Sequence, residues 1–574
     1  AVLDGDSAAV LAAVAVGARH GLSREQWQRY AATGTSHLMA ISGLHIGLAA
    51  LAAYLTATVL LGCLGVRRNL HDVALMLALA AACAYALVSG LALPARRAAL
   101  MLLAGTLLLL ARREVNGLRV LALVAVIVCI SDAGSTLSAG FRLSFTAVLL
   151  LLWAAAERVA TAADWRVRPL LAVGRLARVQ ALLFLGLLPI TATTFGQLSL
   201  AAPAVNLLAI PVFSFITVPL ALAGLVMVGP VGDGLIALAG LSIDWLERVI
   251  AAAAAHDASH RPVAGFTGPA TLMLLLPLAG VLIARGMPAR HLAWLGVLLV
   301  LLWRPSPPRD GCARIDVLDV GQGLSVAVQT ARHALLYDTG PAYRGGGAAA
   351  DTVVLPFLAY RGIRSLDRVI VSHADLDHAG GLESIAAGLR VRSIVAGEPL
   401  LSRDAGSCRD TAAWQWDGVR FFMLHPLDDT PTGNNASCVL LIESGERRVL
   451  LTGDIEAGVE ADLVRSRSIP PVDVVTVPHH GSRTSSTTPF IRALDADVSV
   501  VSAAWGNRWG FPKADVVARW QAAGTRIVNT AEAGAVTIEF CADRDDLQMR
   551  RYRAAKARRW HDDGGLDANV TERR

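Results

Sequence analysis

Apolar residues gather in long, nearly uncharged runs over the first three hundred residues and in short, strand-sized bursts after that. The runs fall at roughly 46–65, 73–93, 98–111, 119–131, 143–156, 180–200, 203–229, 232–252, 269–285 and 290–303. A helix needs about 20 residues to cross a bilayer core, so the longer runs are long enough unaided and the shorter ones only with their flanks. A signal peptide would supply one such run, and buried helices on this scale would need a core larger than single soluble domains build. From Ala313 the period changes. Arg314–Asp319, Ala334–Asp338, Asp367–Ser372, Val449–Asp454 and Val474–Thr476 read as short strands, with a helix-like stretch near 351–361 between them.

Charge divides the chain at the same place. Residues 1–303 hold 20 Arg against 12 acidic residues (+8), and the remainder holds 32 basic against 34 acidic residues (−2), which together give the net +6 of the whole. Only 17% of the 574 residues are charged and 54% are hydrophobic, which excludes both an ordinary soluble enzyme and a disordered chain. Arg304-Pro-Ser-Pro-Pro-Arg-Asp-Gly311 joins the halves as a stiff linker, taken as 304–312. The chain opens on Ala1 rather than Met, and residues 1–35 are read as a truncated N-terminal segment ahead of a multi-helix membrane domain at 36–303. Seven cysteines (Cys63, Cys83, Cys129, Cys312, Cys408, Cys438 and Cys541) form no CxxC pair, so neither a disulfide framework nor a cysteine zinc site is expected. No GxxxxGK[ST] occurs, so no P-loop of its own would drive transport.

Arginine placement sets an orientation. Arg67/Arg68, Arg112/Arg113/Arg119, Arg158 through Arg178 and Arg285/Arg290 follow the first, third, fifth and ninth runs, all odd and therefore all on one side. Cytoplasmic loops carry the excess of basic residues, so the region after residue 304 is expected on the outer face of a multi-pass bacterial inner-membrane protein. Arg96/Arg97 are read as lying in a tight outer turn. Polar groups interrupt the apolar background at Thr33-Gly-Thr-Ser-His-Leu-Met-Ala-Ile-Ser-Gly-Leu-His-Ile-Gly47, at Gly140-Phe-Arg-Leu-Ser-Phe145, and at Phe195-Gly-Gln-Leu-Ser199 with Asn206-Leu-Leu-Ala-Ile-Pro211. Such groups at membrane depth usually face a bundle interior or a watered path, which makes His37, Ser42, His45, Arg142 and Asn206 the candidates to line one. The plainer reading sets the histidines at the interface and the glycines in close helix contacts.

The soluble half concentrates a different chemistry. Strand Asp367–Ser372 runs directly into His373-Ala-Asp-Leu-Asp-His378-Ala-Gly-Gly381. Later strands deliver Gly453-Asp454 and Pro478-His479-His480-Gly-Ser482. Two His and two Asp within six residues are too costly to bury unpaired and match the donors of divalent cations: imidazole suits zinc, carboxylate also suits manganese. His373, Asp375, Asp377 and His378 would hold one or two ions, Asp454 would bridge them, and one of His479 and His480 would complete the second, with His479 favoured. Two ions about 3.5–4 Å apart serve phosphodiester hydrolysis, in which Asp377, His378 and Asp454 would be the catalytic set. The alternative is a solvated Asp/His turn.

These residues resemble the metallo-β-lactamase superfamily, an αββα sandwich. Taken with GTSHLMAISGLHIG, GFRLSF, NLLAIP, DVLDVGQG, LTGDIE and PHHGS, the chain from about Gly34 to Ile538 resembles the ComEC family of DNA-uptake channel proteins. The resemblance implies a polytopic α-helical membrane domain, followed by a metallo-β-lactamase-like sandwich at 313–541. It implies a channel for single-stranded transforming DNA, a domain that degrades the strand left behind, a DNA-receptor protein outside and a helicase-like ATPase inside. There are departures. The superfamily's HxHxDH reads HxDxDH here, with Asp375 second. A later superfamily histidine has no clear counterpart, Asn434-Asn-Ala-Ser437 standing near its place and His425 being the nearest histidine. The small β-barrel domain that members often carry near the N terminus has no residues in this sequence. Arg483, Arg508 and Lys513 are candidate phosphate contacts, and Trp505, Trp509 and Phe511 could stack bases or simply pack on the sandwich. Residues 542–574 read as a basic helix and frayed tail. Two other functions compete with the channel and nuclease: a membrane-tethered metallo-hydrolase of another substrate, and a channel whose soluble domain binds DNA without cutting it.

Overall fold

The structure, a computed structural model, describes residues 5–572 apart from 67–68, 92, 156–167, 228, 257–259, 264, 266–272, 283–290, 344–346, 401–404, 427–431, 545 and 556–568. It divides into two compact units, Ala1–Trp303 and Arg304–Arg574.

The first unit is helical. Each apolar run carries a helix: Gly43–Cys63, Leu70–Val88, Leu93–Leu110, Gly117–Ser131, Ala139–Ala155, Arg168–Phe195, Ala202–Val226, Pro230–Ala254, Leu275–Leu282 and Leu292–Leu302. Among the described residues, four are long and apolar enough to cross a membrane: Gly43–Cys63, Leu70–Val88, Leu171–Phe195 and Ala202–Val226. Three of the others are too short or too charged over their described residues. Gly117–Ser131 has 15 residues and Ala139–Ala155 has 17, and Pro230–Ala254 carries Asp244, Glu247 and Arg248 in its second half. Among the described residues, length and apolarity therefore support four crossings outright.

Small residues form the seams. Ala50, Ala78, Ala82, Ala86 and Ala95 are buried together, letting three successive helices approach closely. Large apolar side chains point outward instead, with Ile130 81% and Val226 80% exposed. That inverts the usual soluble arrangement and suits a lipid surround. The segment before residue 36 is not separate from this bundle. Helices Gly5–Val16 and Arg24–Thr33 bury Val10, Val14 and Tyr30 against Phe213, Ile243 and Ile250. They are too short to register as apolar runs, and only their packing reveals them. Arg96 and Arg97 lie on the helix Leu93–Leu110, not in a turn, and Arg97 is buried.

The second unit is an αββα sandwich. One sheet orders its strands 406–407, 394–396, 368–371, 334–337, 326–329, 312–317, 536–541, 547–551 and 569–572; the other orders 414–416, 419–425, 439–444, 447–451, 474–476, 498–501 and 526–529. Alternation along each strand assigns the layers. Leu335 and Tyr337 of the first sheet and Leu440, Ile442, Val449 and Leu451 of the second meet between the sheets. The residues between them face outward onto helices: Leu336 toward Val354 and Leu358, Leu441 and Leu450 toward Leu463, Phe490 and Trp520. These three cores lie wholly within residues 313–549, so the unit has the means to fold by itself.

Two readings from the sequence are corrected here. Cys312–Cys541 and Cys408–Cys438 form disulfides, while Cys63, Cys83 and Cys129 of the helical unit are free. Separations of 229 and 30 residues leave no local spacing to recognise; the first pair meets because strand 536–541 registers Cys541 opposite Cys312. The sandwich also continues beyond residue 541. Leu547–Arg551 pairs antiparallel with Val536–Glu539, burying Leu547, Met549 and Arg551 on one face. The alternation was hidden because one inward position is an arginine. Only Tyr552–Ala555 is helical there, and the rest of the expected basic stretch lies outside the described residues.

Candidate metal centre and the polar motifs of the helical unit

Four chain segments meet at one edge of the sandwich. Strand Arg368–Val371 ends in Ser372-His373, and the turn Leu376–Ala379 follows with Asp375 at its N-cap and Asp377 in its first turn. Strand Arg447–Leu451 delivers Asp454, and Val474–Thr476 delivers the His479-His480 turn. Both those histidines have left-handed backbone, at φ 49° and 53°. Two such residues in succession cost energy that the surrounding structure must offset, a pattern typical of functional sites.

The imidazoles share one geometry. His378 Nδ1 donates to Asp338 Oδ2 at 2.8 Å and His480 Nδ1 donates to the Ser502 carbonyl at 2.7 Å. Ser372 Oγ donates to Asp338 Oδ2 at 2.8 Å, so its lone pair is available to the Nδ1–H of His373 at 3.0 Å. Every Nδ1 is thereby used up on a supporting group, and every Nε2 faces the cluster. Around those atoms, Asp454 Oδ1 lies 3.3 Å from His378 Nε2 and its Oδ2 lies 3.4 Å from His480 Nε2. Asp377 Oδ2 is 3.4 Å from His480 Nε2, and Asp375 Oδ2 is 3.6 Å from His373 Nε2.

Two overlapping donor groups result, His373/His378/Asp454 and Asp377/His378/His480. His373 Nε2 is buried with no hydrogen-bond partner, a cost that a coordinated cation would remove. Electrostatics point the same way. Burial alone would push His378 down, but the Asp454 and Asp338 carboxylates raise it well above the usual imidazole range. Burial would likewise raise Asp454, and His378 with His480 holds it far below the usual carboxylate range. The carboxylates thus create a demand for positive charge, and the residues present fit a divalent metal.

Most of the expected ligands come together, with one change of emphasis. His480, not His479, enters the cluster. His479 Nδ1 bonds to Thr484 Oγ1 at 3.0 Å and lies 3.5 Å from Glu456, outside it. His425 does not supply the later superfamily histidine, since its Nε2 donates to the Asn435 carbonyl at 2.8 Å. Ser437 stands nearer, with Oγ 3.3 Å from His373 Nδ1 and accepting from the Asp454 amide at 3.0 Å. Asp338 and Ser372 are the supports that residue spacing could not reveal. Gly323 of DVLDVGQG has its own role: φ is +135° and a Cβ there would sit 2.3 Å from the Asp377 carbonyl, so the motif seats the metal loop.

In the helical unit the motifs also meet. Gly34 closes Arg24–Thr33 in left-handed geometry, and its carbonyl accepts from His37 Nδ1 at 3.0 Å and Asn206 Nδ2 at 3.4 Å. Ser42 caps the helix Gly43–Cys63 reciprocally with His45. Both His45 Nε2 and Asn206 Oδ1 are buried without partners. Arg142 is exposed and bonds only weakly to Leu137, apart from this group. Arg97 instead reaches the GFRLSF motif, donating to the Gly140 carbonyl at 2.8 Å with Phe145 under its guanidinium.

These two units define the class: an apolar helical unit fused to a metallo-β-lactamase-type sandwich with its donor cluster at one sheet edge. Comparison with known proteins agrees. The family model described as competence protein matches residues 14–288, and that of the metallo-beta-lactamase superfamily matches residues 318–505. Competence protein ComA of Neisseria gonorrhoeae is 32% identical over 96% of this chain and 77% of its own. The uncharacterized protein YcaI of Escherichia coli is 34% identical over 93% of this chain and 71% of its own, and ComE operon protein 3 of Bacillus subtilis 28% over 94% and 72%. The chain belongs to the ComEC family of competence proteins.

Proposed function

We propose that this chain acts in DNA uptake: the helical unit conducts one strand across the bacterial cytoplasmic membrane, and the soluble unit hydrolyses the strand left outside. The observation that carries the reading is the convergence of three Nε2 atoms with Asp377 and Asp454, on a chain of the competence family. A divalent cation, zinc or manganese, held in one or two positions by His373, His378, His480, Asp377 and Asp454, would supply Lewis-acid charge and a lowered water pKa for phosphodiester hydrolysis. Asp338, Ser372 and Ser502 fix the imidazole tautomers. Asp454 spans the two donor groups with its two oxygens. Asp375, exposed at the mouth, completes the group around His373.

Two observations support the outward placement. Disulfides form and persist in oxidising compartments, and both lie in the soluble unit. The Arg112–Asp72 ion pair joins the end of the third apolar helix to the start of the second, keeping those two loops at one end of the bundle. Arg67, Arg68, Arg158, Arg166, Arg285 and Arg290 lie outside the described residues. A receptor handing over DNA outside and an ATPase drawing it inward fit a chain without a P-loop.

The test is direct. Residues 304–574 with manganese or zinc should cut a single-stranded oligonucleotide, and Asp377→Ala or Asp454→Ala should abolish cutting. Absence of both metal uptake and cleavage in the unsubstituted unit contradicts the reading. Ser437, standing beside His373 where a histidine would be expected, favours one alternative, a domain that binds DNA without cleaving it; binding without cleavage is its signature.

A further inference from the structure

The loop between strand Val498–Val501 and helix Ala514–Ala522 stands with both feet on the metal turn. At one foot, the Ser502 carbonyl holds His480 Nδ1 at 2.7 Å, and Ser502 Oγ donates to the Gly323 carbonyl at 2.7 Å. At the other, the Lys513 amide donates to the Gly481 carbonyl at 3.0 Å, and Pro512 packs against Gly481. Asn507 braces the span: its Nδ2 donates to the Ala504 and Phe511 carbonyls at 3.0 and 2.7 Å, and its Oδ1 accepts from the Phe511 amide at 2.9 Å.

This braced loop sorts its aromatic rings. Phe511 turns inward, edge-on to His479 at 6.0 Å, and joins the core below the second sheet. Trp505 is 74% exposed and Trp509 43%. Trp505 is held out in water beside a candidate catalytic centre, and Trp509, stacked on Phe511 at 6.5 Å and 13°, still leaves 43% of its surface exposed; on a loop with its own hydrogen-bond frame, packing does not explain that exposure. The charge around them is positive. Arg508 lies over the Trp509 ring at 4.2 Å and has no carboxylate within 4.0 Å among the described residues, and Lys513 Nζ bonds to the Trp509 carbonyl at 2.5 Å. Arg483, by contrast, is paired with Asp515 at 2.9 Å.

We propose that Trp505 and Trp509, with Arg508, form a base-stacking platform that binds single-stranded nucleic acid and feeds it to the metal centre. Unpaired bases present π-faces to the indoles while the cation meets the backbone; a duplex keeps its bases stacked inside and offers the platform phosphates alone. The inference rests on the nuclease reading for its purpose, not for its measurement.

Binding is measured by fluorescence anisotropy of labelled (dT)20 and of a 20-base-pair duplex on residues 304–574 in EDTA, where nothing is cut. The unsubstituted unit should prefer (dT)20, which should quench tryptophan emission. Trp505→Ala should weaken (dT)20 binding about tenfold and lose most of the quench. Trp505→Phe should restore most of the affinity, and Trp509→Ala should behave like Trp505→Ala. Wild-type affinity for (dT)20 in both alanine variants overturns the proposal. So does equal affinity of the unsubstituted unit for strand and duplex, or a defect confined to binding of phosphatidylglycerol vesicles. A unit that binds (dT)20 through Trp505 yet cuts nothing with metal restored defeats the nuclease reading and leaves the platform standing.

Discussion

Asp338 Oδ2 sits 2.8 Å from His378 Nδ1 at a point where neither residue meets solvent. The same carboxylate accepts from the Ser372 amide at 2.6 Å and from its hydroxyl at 2.8 Å, so one aspartate orients both histidines of the first motif. Such supports typically matter about 10–100-fold to metal affinity. Asp338→Ala should lower manganese or zinc affinity of residues 304–574 by that order, with the sandwich still folded by circular dichroism. Unchanged affinity by calorimetry would remove Asp338 from the account.

The Cys408–Cys438 disulfide closes a 30-residue separation and anchors the chain one residue after Ser437, which contacts both His373 and Asp454. In the chain-entropy view such a loop contributes about 3–4 kcal/mol. Reduction, or Cys408→Ser with Cys438→Ser, should lower the melting temperature of the soluble unit and its metal content together. In protein denatured directly from cells, maleimide should label Cys408 and Cys438, both buried in the fold, only after reduction. Labelling without reductant would place the unit in the cytoplasm.

Legibility followed the reach of each signal along the chain. Strands that deliver ligands, such as Arg368–Val371 into His373, were readable because motif and strand are contiguous. The HxDxDH spacing announced its chemistry for the same reason. Asp338 was not readable as a support, since its partner lies 40 residues away and only the pairing of strands 334–337 and 368–371 brings them together. His479 and His480 are neighbours in sequence with similar left-handed backbone, and only the fold around them sends His480 to Asp454 and His479 to Thr484. The Cys312–Cys541 disulfide depended on register, and the helices before residue 36 on packing against Phe213 and Ile243.

Asp417 gives a pH dependence. It accepts from Thr330 Oγ1 and the Arg332 amide, both at 2.7 Å, and from His333 Nδ1 at 3.1 Å. Burial would raise its pKa, but these hydrogen bonds hold it well below the usual carboxylate range. A folded value below the unfolded one stabilises above about pH 4 and is lost as pH falls through the folded value. Asp417→Asn, which tolerates the left-handed turn there, should therefore cost more thermal stability at pH 7 than at pH 3. An equal loss at both pH values would show that the charge is not what stabilises the turn.

Gly34 joins two motifs of the helical unit. Its φ is +68°, and a Cβ would lie 2.6 Å from Ala202 Cβ, just ahead of Asn206. Gly34→Ala should destabilise the helical unit by about 1–3 kcal/mol and reduce DNA uptake, while cleavage by residues 304–574 stays as it was. Full uptake with an unshifted melting temperature in detergent would argue that this junction is incidental.

The central claim is that one protein passes one strand and destroys the other. It is tested in competent cells whose only copy carries Asp377→Ala, given duplex DNA labelled separately on each strand. The account predicts that acid-soluble label from the excluded strand disappears from the medium, where cells with the unsubstituted protein release it. Undiminished release of that label from the Asp377→Ala cells would contradict it.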